Sequence, residues 1–550
     1  MLLDPIDRVV PLPYPHFMGF APLDTWARLL AQGGAMGRIH PRYYPRVLGA
    51  LFTSTLATAV TLPERLVLAP LLPKPAMGDS ASAAGSTPEV VFILGYYRSG
   101  TTHLHYLLSC DPRLATPRWY QMLAPQGFAL SWTFLRYFLV PFLSSKRPQD
   151  DVAYGPEYPA EDDFGVCNLS AACAMPGRMV LPGCWDFYSR FHSLEGLSER
   201  ELRRFRRAQL AITWKMSRVN RGRMLLLKTP SHTARVAELA RLYPNARFIH
   251  LHREPGAVVK SNVAMHRRFA PFLLQPHPGD EEIRRRVVAE YEHTERKFLA
   301  EAAAVPGDRL VRMRYEDLIA DPIGQIRAAY ERLGLTMSAE FESRAGAYLE
   351  TVRNYRTAAE RGAGGSAAAA GEKTDDRMPL ELEWMHHAFG HDRPAIAAAP
   401  LPARPVEDIP EAERPLFTGA SAALVAAAFC FAAWILIAAV FRNRIDFLAW
   451  PTGVAIGLAA LRGAGANGKR GTLDLGLWAL LLTLLVLLGA AYPATWLAVR
   501  DRFSPINLPH HVWLATRRGV LAMNNIIWLL LGLTSAYRYA SRQHIRPPGL

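Results

Sequence analysis

The 550-residue chain is poor in cysteine and shows no pattern in the few it has. Cys110, Cys167, Cys173, Cys184 and Cys430 form no C-x-x-C pair. An odd count without framework spacing excludes a disulfide scaffold and points to reduced thiols in a cytosol-facing soluble part. The Walker A sequence G-x-x-x-x-G-K-[ST] is missing, which removes the usual signature of a P-loop kinase. Met1 to Pro15 lacks the basic start and apolar core of a secretory signal, so the soluble part is expected to stay on the side where it is made. There is no internal repeat. Arginine is dispersed through helices instead of forming a tract, and no nucleic-acid recognition motif occurs, which argues against nucleic acid as a partner. His386, His387 and His391 have no matched carboxylate or cysteine spacing, so they read as surface residues and no metal is expected.

What the chain does have is unevenly distributed apolar sequence and a net charge of +15. Its length exceeds one compact core, so two or more domains are expected. The positive balance suits a nucleotide, sulfated or phosphorylated groups, or an anionic membrane surface. Five regions follow from composition: an N-terminal helical region and linker (1–88), an α/β domain (89–356), an Ala/Gly/Pro-rich linker (357–411), a membrane region (412–540) and a tail (541–550). Within the first, residues 47–72 read as two helices broken at Pro63, Glu64 and Arg65, packed on the domain or lying in the membrane interface. Residues 128–143 predict an apolar, aromatic helix, and 150–164 an acidic loop. Residues 415–440 and 475–499 read as transmembrane helices. Residues 446–461 and 519–536 raise the number of spans to as many as four, and the Lys/Arg count then leans toward both termini inside.

Within 89–356, strands alternate with helices, which indicates a parallel sheet with crossover helices. The stretch at 90–108 organises it. The run Val90-Val91-Phe92-Ile93-Leu94 reads as a buried parallel strand, Gly95 as a tight turn, and Ser99-Gly100-Thr101-Thr102 as the opening of a helix. A helix N-terminus behind a strand offers free N–H groups and the positive end of a dipole to an anion. Arg98, Ser99, Thr101 and Thr102 add a permanent charge and hydroxyl donors. A second feature lies at 248–262. There an apolar strand delivers Arg253 at its carboxyl end, where open parallel sheets bind ligands, Pro255 suits an early helical position, and Ser261 falls about two helical turns on.

Taken together these features resemble the sulfotransferase family, specifically its bacterial members with an Arg-Ser-Gly-Thr-Thr loop. Further matches occur in the family's order: Ala-Thr-Pro (115–117), Pro-Ala-Glu-Asp-Asp-Phe (159–164), Leu-Lys-Thr-Pro-Ser-His (227–232), Tyr-Pro-Asn-Ala-Arg-Phe (243–248), Arg-Tyr-Glu-Asp-Leu (314–318) and Asp-Pro (321–322). The resemblance covers residues 90–335 and leaves out the membrane region. It implies a P-loop-like parallel sheet flanked by helices and a 3′-phosphoadenosine-5′-phosphosulfate (PAPS) co-substrate. Arg98, Ser99, Gly100, Thr101 and Thr102 would hold the 5′-phosphosulfate, and Arg253 and Ser261 the 3′-phosphate. Lys228, at a strand end, would contact the bridging oxygen or the sulfuryl group.

In-line sulfuryl transfer makes demands like those of phosphoryl transfer: cations to absorb charge, and a base for the acceptor proton. His232 is the first candidate base, because the family's cytosolic members carry a catalytic histidine in a Lys-x-His segment at the corresponding place. Here Pro230 and Ser231 intervene. Glu161 and Asp162 are the rival carboxylates, and His105 is third. The glutamate that relatives often carry near Tyr120 and Gln121 is missing. The expectation is a membrane-anchored, PAPS-dependent sulfotransferase with its catalytic domain facing the cytosol, acting on a hydroxyl or amine of a lipid, glycolipid or carbohydrate. A non-catalytic nucleotide-binding membrane protein and a P-loop kinase-like phosphotransferase are the alternatives.

Overall fold

The computed structural model describes residues 16–36, 39–73, 87–131, 155–352, 378–394, 396, 415–441, 448–464, 473–499, 508–520 and 523–541. These fall into two compact units, one between residues 16 and 396 and one between 415 and 541. The predicted linkers at 73–88 and 357–411 and the tail lie mostly outside the described residues, as does most of the helix expected at 128–143.

The first unit is built on five strands: β1 (Val90–Leu94), β2 (Leu114–Ala115), β3 (Met224–Lys228), β4 (Arg247–His252) and β5 (Leu310–Arg314). They form one parallel sheet in the order β2-β3-β1-β4-β5. Central strand β1 is buried along its whole length, as a two-sided apolar run must be when helices cover both faces. Ile93 pairs with Lys228 on one side and Leu94 with His250 on the other, so the carboxyl ends of β3, β1 and β4 stand side by side. Phe92 stacks on Phe248 across the strands and meets the His232 ring edge-on.

Helices α1 (Leu23–Met36) and α2 (Tyr44–Leu68) precede the sheet, and α3 (Thr101–Leu108) leaves β1. Helices α4 (Asp162–Ser170) and α5 (Glu199–Val219) lie ahead of β3, and α6 (Val236–Leu242) leads to β4. Between β4 and β5 run α7 (Pro255–Arg267) and α8 (Asp280–Ala302); α9 (Tyr315–Ala320), α10 (Pro322–Arg332) and α11 (Ala339–Val352) follow β5. Local sequence explains these elements. Ser198 and Glu201 form a reciprocal capping box at the start of α5, and Phe205, Ala208, Ile212 and Met216 recur at helical spacing on its buried face.

Three expectations are corrected, and one strand is new. Residues 44–68 form one helix that runs through Pro63, not two. The carboxylate of the next residue, Glu64, is buried, accepts backbone N–H bonds from Ala129, Leu130 and Ser131, and pairs with Lys215 at 2.7 Å. These bonds fasten the turn after Pro63 to the rest of the unit. The acidic segment is not loop throughout, since Asp162 opens α4. Leu114–Ala115 adds an unforeseen edge strand. His391 is not a surface residue: it is buried against His252, with Nδ1 of His252 and Nε2 of His391 3.2 Å apart.

The second unit contains α12 (Pro415–Phe441), α13 (Ala449–Gly463), α14 (Leu473–Val499), α15 (Leu508–Val520) and α16 (Met523–Ser541). Its interior is made largely of alanine: Ala423, Ala427, Ala460, Ala479, Ala536 and Ala540. Helices α13 and α16 approach so closely that a Cβ on Gly453 would fall on the carbonyl of Gly532. Among the described residues three helices are long and apolar enough to cross a membrane: Gly419–Val440 and Leu475–Leu497 here, and Pro41–Leu71 in the first unit.

Candidate active site

The loop after β1 is shaped by backbone geometry that few residues tolerate. Gly95 has φ +138°, and a Cβ there would collide with the carbonyl of Leu251. Its N–H donates to the Thr233 hydroxyl at 2.7 Å. Arg98 is held in the left-handed region at φ 72°, a strained state for a residue with a side chain. Gly100, at φ +91°, caps α3 without a side-chain bond, and a Cβ on it would enter the Tyr315 ring. The first intrahelical bond runs from His103 N–H to the Gly100 carbonyl, so the N–H groups before it face the loop. Ser99 is buried, and its hydroxyl has no hydrogen-bond partner among the described residues. A buried, unsatisfied hydroxyl at a helix N-terminus fits an anionic ligand.

At the tip of β3 three consecutive acids meet three bases. Glu161 Oε1 accepts from Lys228 Nζ at 2.5 Å, Asp162 Oδ2 lies 2.8 Å from His232 Nε2, and Asp163 Oδ1 accepts from Arg235 Nη1 at 2.9 Å. Asp162 and Asp163 are fully enclosed, whereas the Glu161 side chain is 16% exposed. Burial alone would push the Asp162 carboxyl up. The His232 ring, with added bonds from Gln209 and Thr229, holds it far below the usual carboxylate range instead. Lys228 Nζ also reaches the Thr102 hydroxyl at 3.5 Å, which ties this pair to the loop.

At the tip of β4 the Arg253 guanidinium stacks over the Tyr315 ring, 4.5 Å from its centre. Because His252 and Arg314 are register partners, Arg253 and Tyr315 are the next residues of neighbouring strands. Glu254 caps α7, accepting N–H bonds from Gly256 and Ala257. Ser261, on α7, accepts a hydrogen bond from Arg98 Nε at 2.9 Å. Asn262 donates to the Tyr97 carbonyl at 2.8 Å and so fastens α7 to the loop.

The fold therefore brings Arg98, Ser99, Gly100, Thr101, Thr102, Lys228, Glu161, Arg253 and Ser261 to adjoining strand tips. His232 is also close in sequence, but its side chain is wholly enclosed and turned onto Asp162. His105 is likewise buried, 2.5 Å from the Thr116 hydroxyl. Tyr315 is the residue the sequence reading missed; its position one step past a strand end, beside the strand that delivers Arg253, was the available signal. Among the described residues no group of three or more His, Cys, Asp or Glu is placed to hold a metal ion.

Comparison with known proteins identifies the family. The sulfotransferase family model matches residues 88–339. The omega-hydroxy-beta-dihydromenaquinone-9 sulfotransferase Stf3 of Mycobacterium tuberculosis is 30% identical over 332 residues, which cover 60% of this chain and 80% of that protein. The chain belongs to the sulfotransferase family. Human carbohydrate sulfotransferase 6 is 26% identical over 374 residues, 62% of this chain and 85% of that protein. The crystal structure of sulfotransferase STF1 from Mycobacterium tuberculosis H37Rv is 16% identical and covers 65% of this chain and 93% of that chain, with a TM-score of 0.43. The protein is thus an enzyme of the sulfuryl-transferring class, with a sulfate donor and an acceptor as its two substrates.

Proposed function

We propose that the protein moves a sulfuryl group from PAPS to a hydroxyl or amine of an acceptor while anchored in a membrane by its C-terminal helices, with the catalytic unit facing the cytosol. The observation that supports this reading best is the 2.9 Å bond from Arg98 to Ser261, which joins the loop after β1 to α7. When bound, PAPS supplies an activated sulfuryl group on a sulfur–oxygen–phosphorus bridge. Arg98, the N-terminus of α3 and the orphaned Ser99 hydroxyl would hold the phosphosulfate, and Arg253 and Ser261 the 3′-phosphate, with Tyr315 between the two grips. Lys228 is the cation next to the transferring group and absorbs negative charge on the leaving oxygen.

Glu161 is the base in this reading, in place of His232. It alone of the three acids opens to solvent, and it lies 2.5 Å from Lys228 Nζ, beside the transferring group in this reading. The acceptor oxygen bonds to sulfur, the bond from sulfur to the phosphate oxygen breaks, and the proton passes to Glu161. His232, Asp162, Asp163 and Arg235 then position Glu161 without touching substrate. The named acceptor of Stf3, a hydroxylated menaquinone, together with the two apolar C-terminal helices, favours a hydroxyl-bearing lipid acceptor.

The test is transfer of radiolabelled sulfuryl groups from PAPS to lipids and glycans of membrane extracts. The native chain should label an extractable species, and Arg98→Ala should not. Absence of transfer, or equal labelling by Arg98→Ala, defeats the reading. PAPS binding without turnover would favour the non-catalytic alternative.

A further inference from the structure

Helix α2 is inside out for a helix of a water-soluble unit. Its buried positions are small or polar: Ala50, Ser54, Ala57, Thr61 and Glu64, spaced on one stripe. Its outward positions carry large apolar side chains: Leu48 (67% exposed), Phe52 (66%), Leu56 (53%), Val60 and Leu66. Water disfavours such a face, and a continuous stripe of this kind marks an interaction surface. The helix is pinned lengthwise to the catalytic unit. Arg46 donates to the carbonyls of Ala270 and Leu273, Ser54 to that of Ala21, Leu23 N–H to the Thr58 hydroxyl, and Lys215 to Glu64. It therefore cannot cross a bilayer and keep these contacts, although Pro41–Leu71 is long and apolar enough to do so.

We infer that the outward face of α2 lies in the surface of a lipid bilayer, so that the catalytic unit docks on the membrane by itself and not only through the C-terminal helices. Three observations select lipid as the occupant. Residues 47–63 hold no ionisable side chain, while Arg42 and Arg46 precede them and Arg65 follows, an apolar stripe with basic flanks suited to anionic headgroups. The candidate span α12 of the same chain presents the same kind of surface, with Phe429, Leu436 and Val440 outward, and tethers the chain to the membrane under the proposed reading on which this inference rests. Exposed Leu130, whose N–H donates to Glu64, adds a further large apolar side chain beside the helix. Such a dock would bring the catalytic unit to the interface where the hydroxyl of a lipid resides.

The experiment uses the full chain, with Cys430→Ser as background, in nanodiscs of phosphatidylcholine and phosphatidylglycerol. Nitroxide labels are placed by Phe52→Cys or Leu56→Cys, with Phe429→Cys as the lipid reference and exposed Arg200→Cys as the water reference. Collision rates are read with oxygen, which partitions into lipid, and with a water-soluble nickel complex. The expected result is an oxygen-to-nickel ratio at 52 and 56 that matches 429 and exceeds 200. A ratio at 52 and 56 equal to that at 200 overturns the inference while 429 still reports the anchor. If 429 also reads as water, the anchored reading fails as well. Low collision with both reagents means that protein covers the face and also overturns it: a second copy if the protection vanishes at one chain per disc, another segment if it persists. The labelled sites are largely solvent-exposed in the fold, so the substitutions leave packing intact.

Discussion

The catalytic unit and the C-terminal helical unit differ in the residues that dominate their interiors. The first hides Trp26, Phe92, Tyr96, Phe128, Tyr243 and Tyr291 completely. The second packs largely on alanine and glycine, beside Ile456, Leu475 and Tyr539, and turns Phe429, Leu436, Val440 and Leu485 outward. In water, removing apolar area is the dominant gain, so large side chains go inside. Against acyl chains that gain disappears, and close backbone approach, as at Gly453 and Gly532, takes over. Helix α2 follows the second rule although it belongs to the first unit, which is why its surroundings, and not its contacts, carry information.

The largest expected effects lie in the catalytic unit. Glu161→Gln should lower transfer by roughly 10²–10⁴-fold, the range for loss of a general base, with PAPS affinity nearly unchanged. Arg98→Ala should cost roughly 10²–10³-fold in turnover and also weaken PAPS. Single-turnover sulfuryl transfer and equilibrium nucleotide binding separate the two. Substituting His232 would instead lower stability along with rate, because it frees buried Asp162.

Acid should also single out the catalytic unit. Burial drives His252 down to about 2, with His250, His391 and nearby arginines adding to it, and drives His266 down to about 3, with Arg178 adding. Burial also holds His192 well below the ordinary range. These imidazoles are neutral in the fold, while the unfolded chain protonates them below about pH 6.5. The unfolded state then binds more protons, so stability is complete above that pH and falls as pH drops from about 6.5 toward 3. Each such group costs about 1 kcal/mol or more at pH 5. Thermal unfolding followed by nucleotide binding should show a lower Tm at pH 5 than at pH 7. The described histidines of the second unit, His510 and His511, are not buried.

Gly453→Leu reverses the target. It should separate α13 from α16 at a cost of about 1–3 kcal/mol, seen as earlier unfolding in detergent, with PAPS binding retained. The smallest change is expected for Tyr315→Ala, which removes the ring beneath Arg253 and should weaken PAPS by about 0.5–2 kcal/mol, less than tenfold to about thirtyfold. Tyr315→Phe should keep most of the affinity.

Much of this was legible from residues in order. A buried apolar strand, a turn glycine and a hydroxyl-rich helix start are local, and β1, β3, β4 and α7 fall close to where patterning puts them. Which candidate the proposed reading takes as the base was not legible, because Glu161, Asp162 and Asp163 are neighbours in the chain and chemically alike. Only the fold separates them, by exposing one and enclosing two against His232 and Arg235. The continuous helix across Pro63 escaped for a similar reason, since the partner of Glu64 beside it is Lys215, far along the chain.

By itself the sequence determined the parallel α/β class, the two strand-loop-helix features proposed to hold phosphate and the apolar C-terminal helices, because each rests on periodicity and residue type within a short window. Tertiary structure decided which strand tips adjoin, that Arg98 reaches Ser261, that Tyr315 supports Arg253, and that α2 turns its greasy side outward. Strand order, burial and facing depend on contacts between residues distant in the chain, and short-range patterns do not encode those.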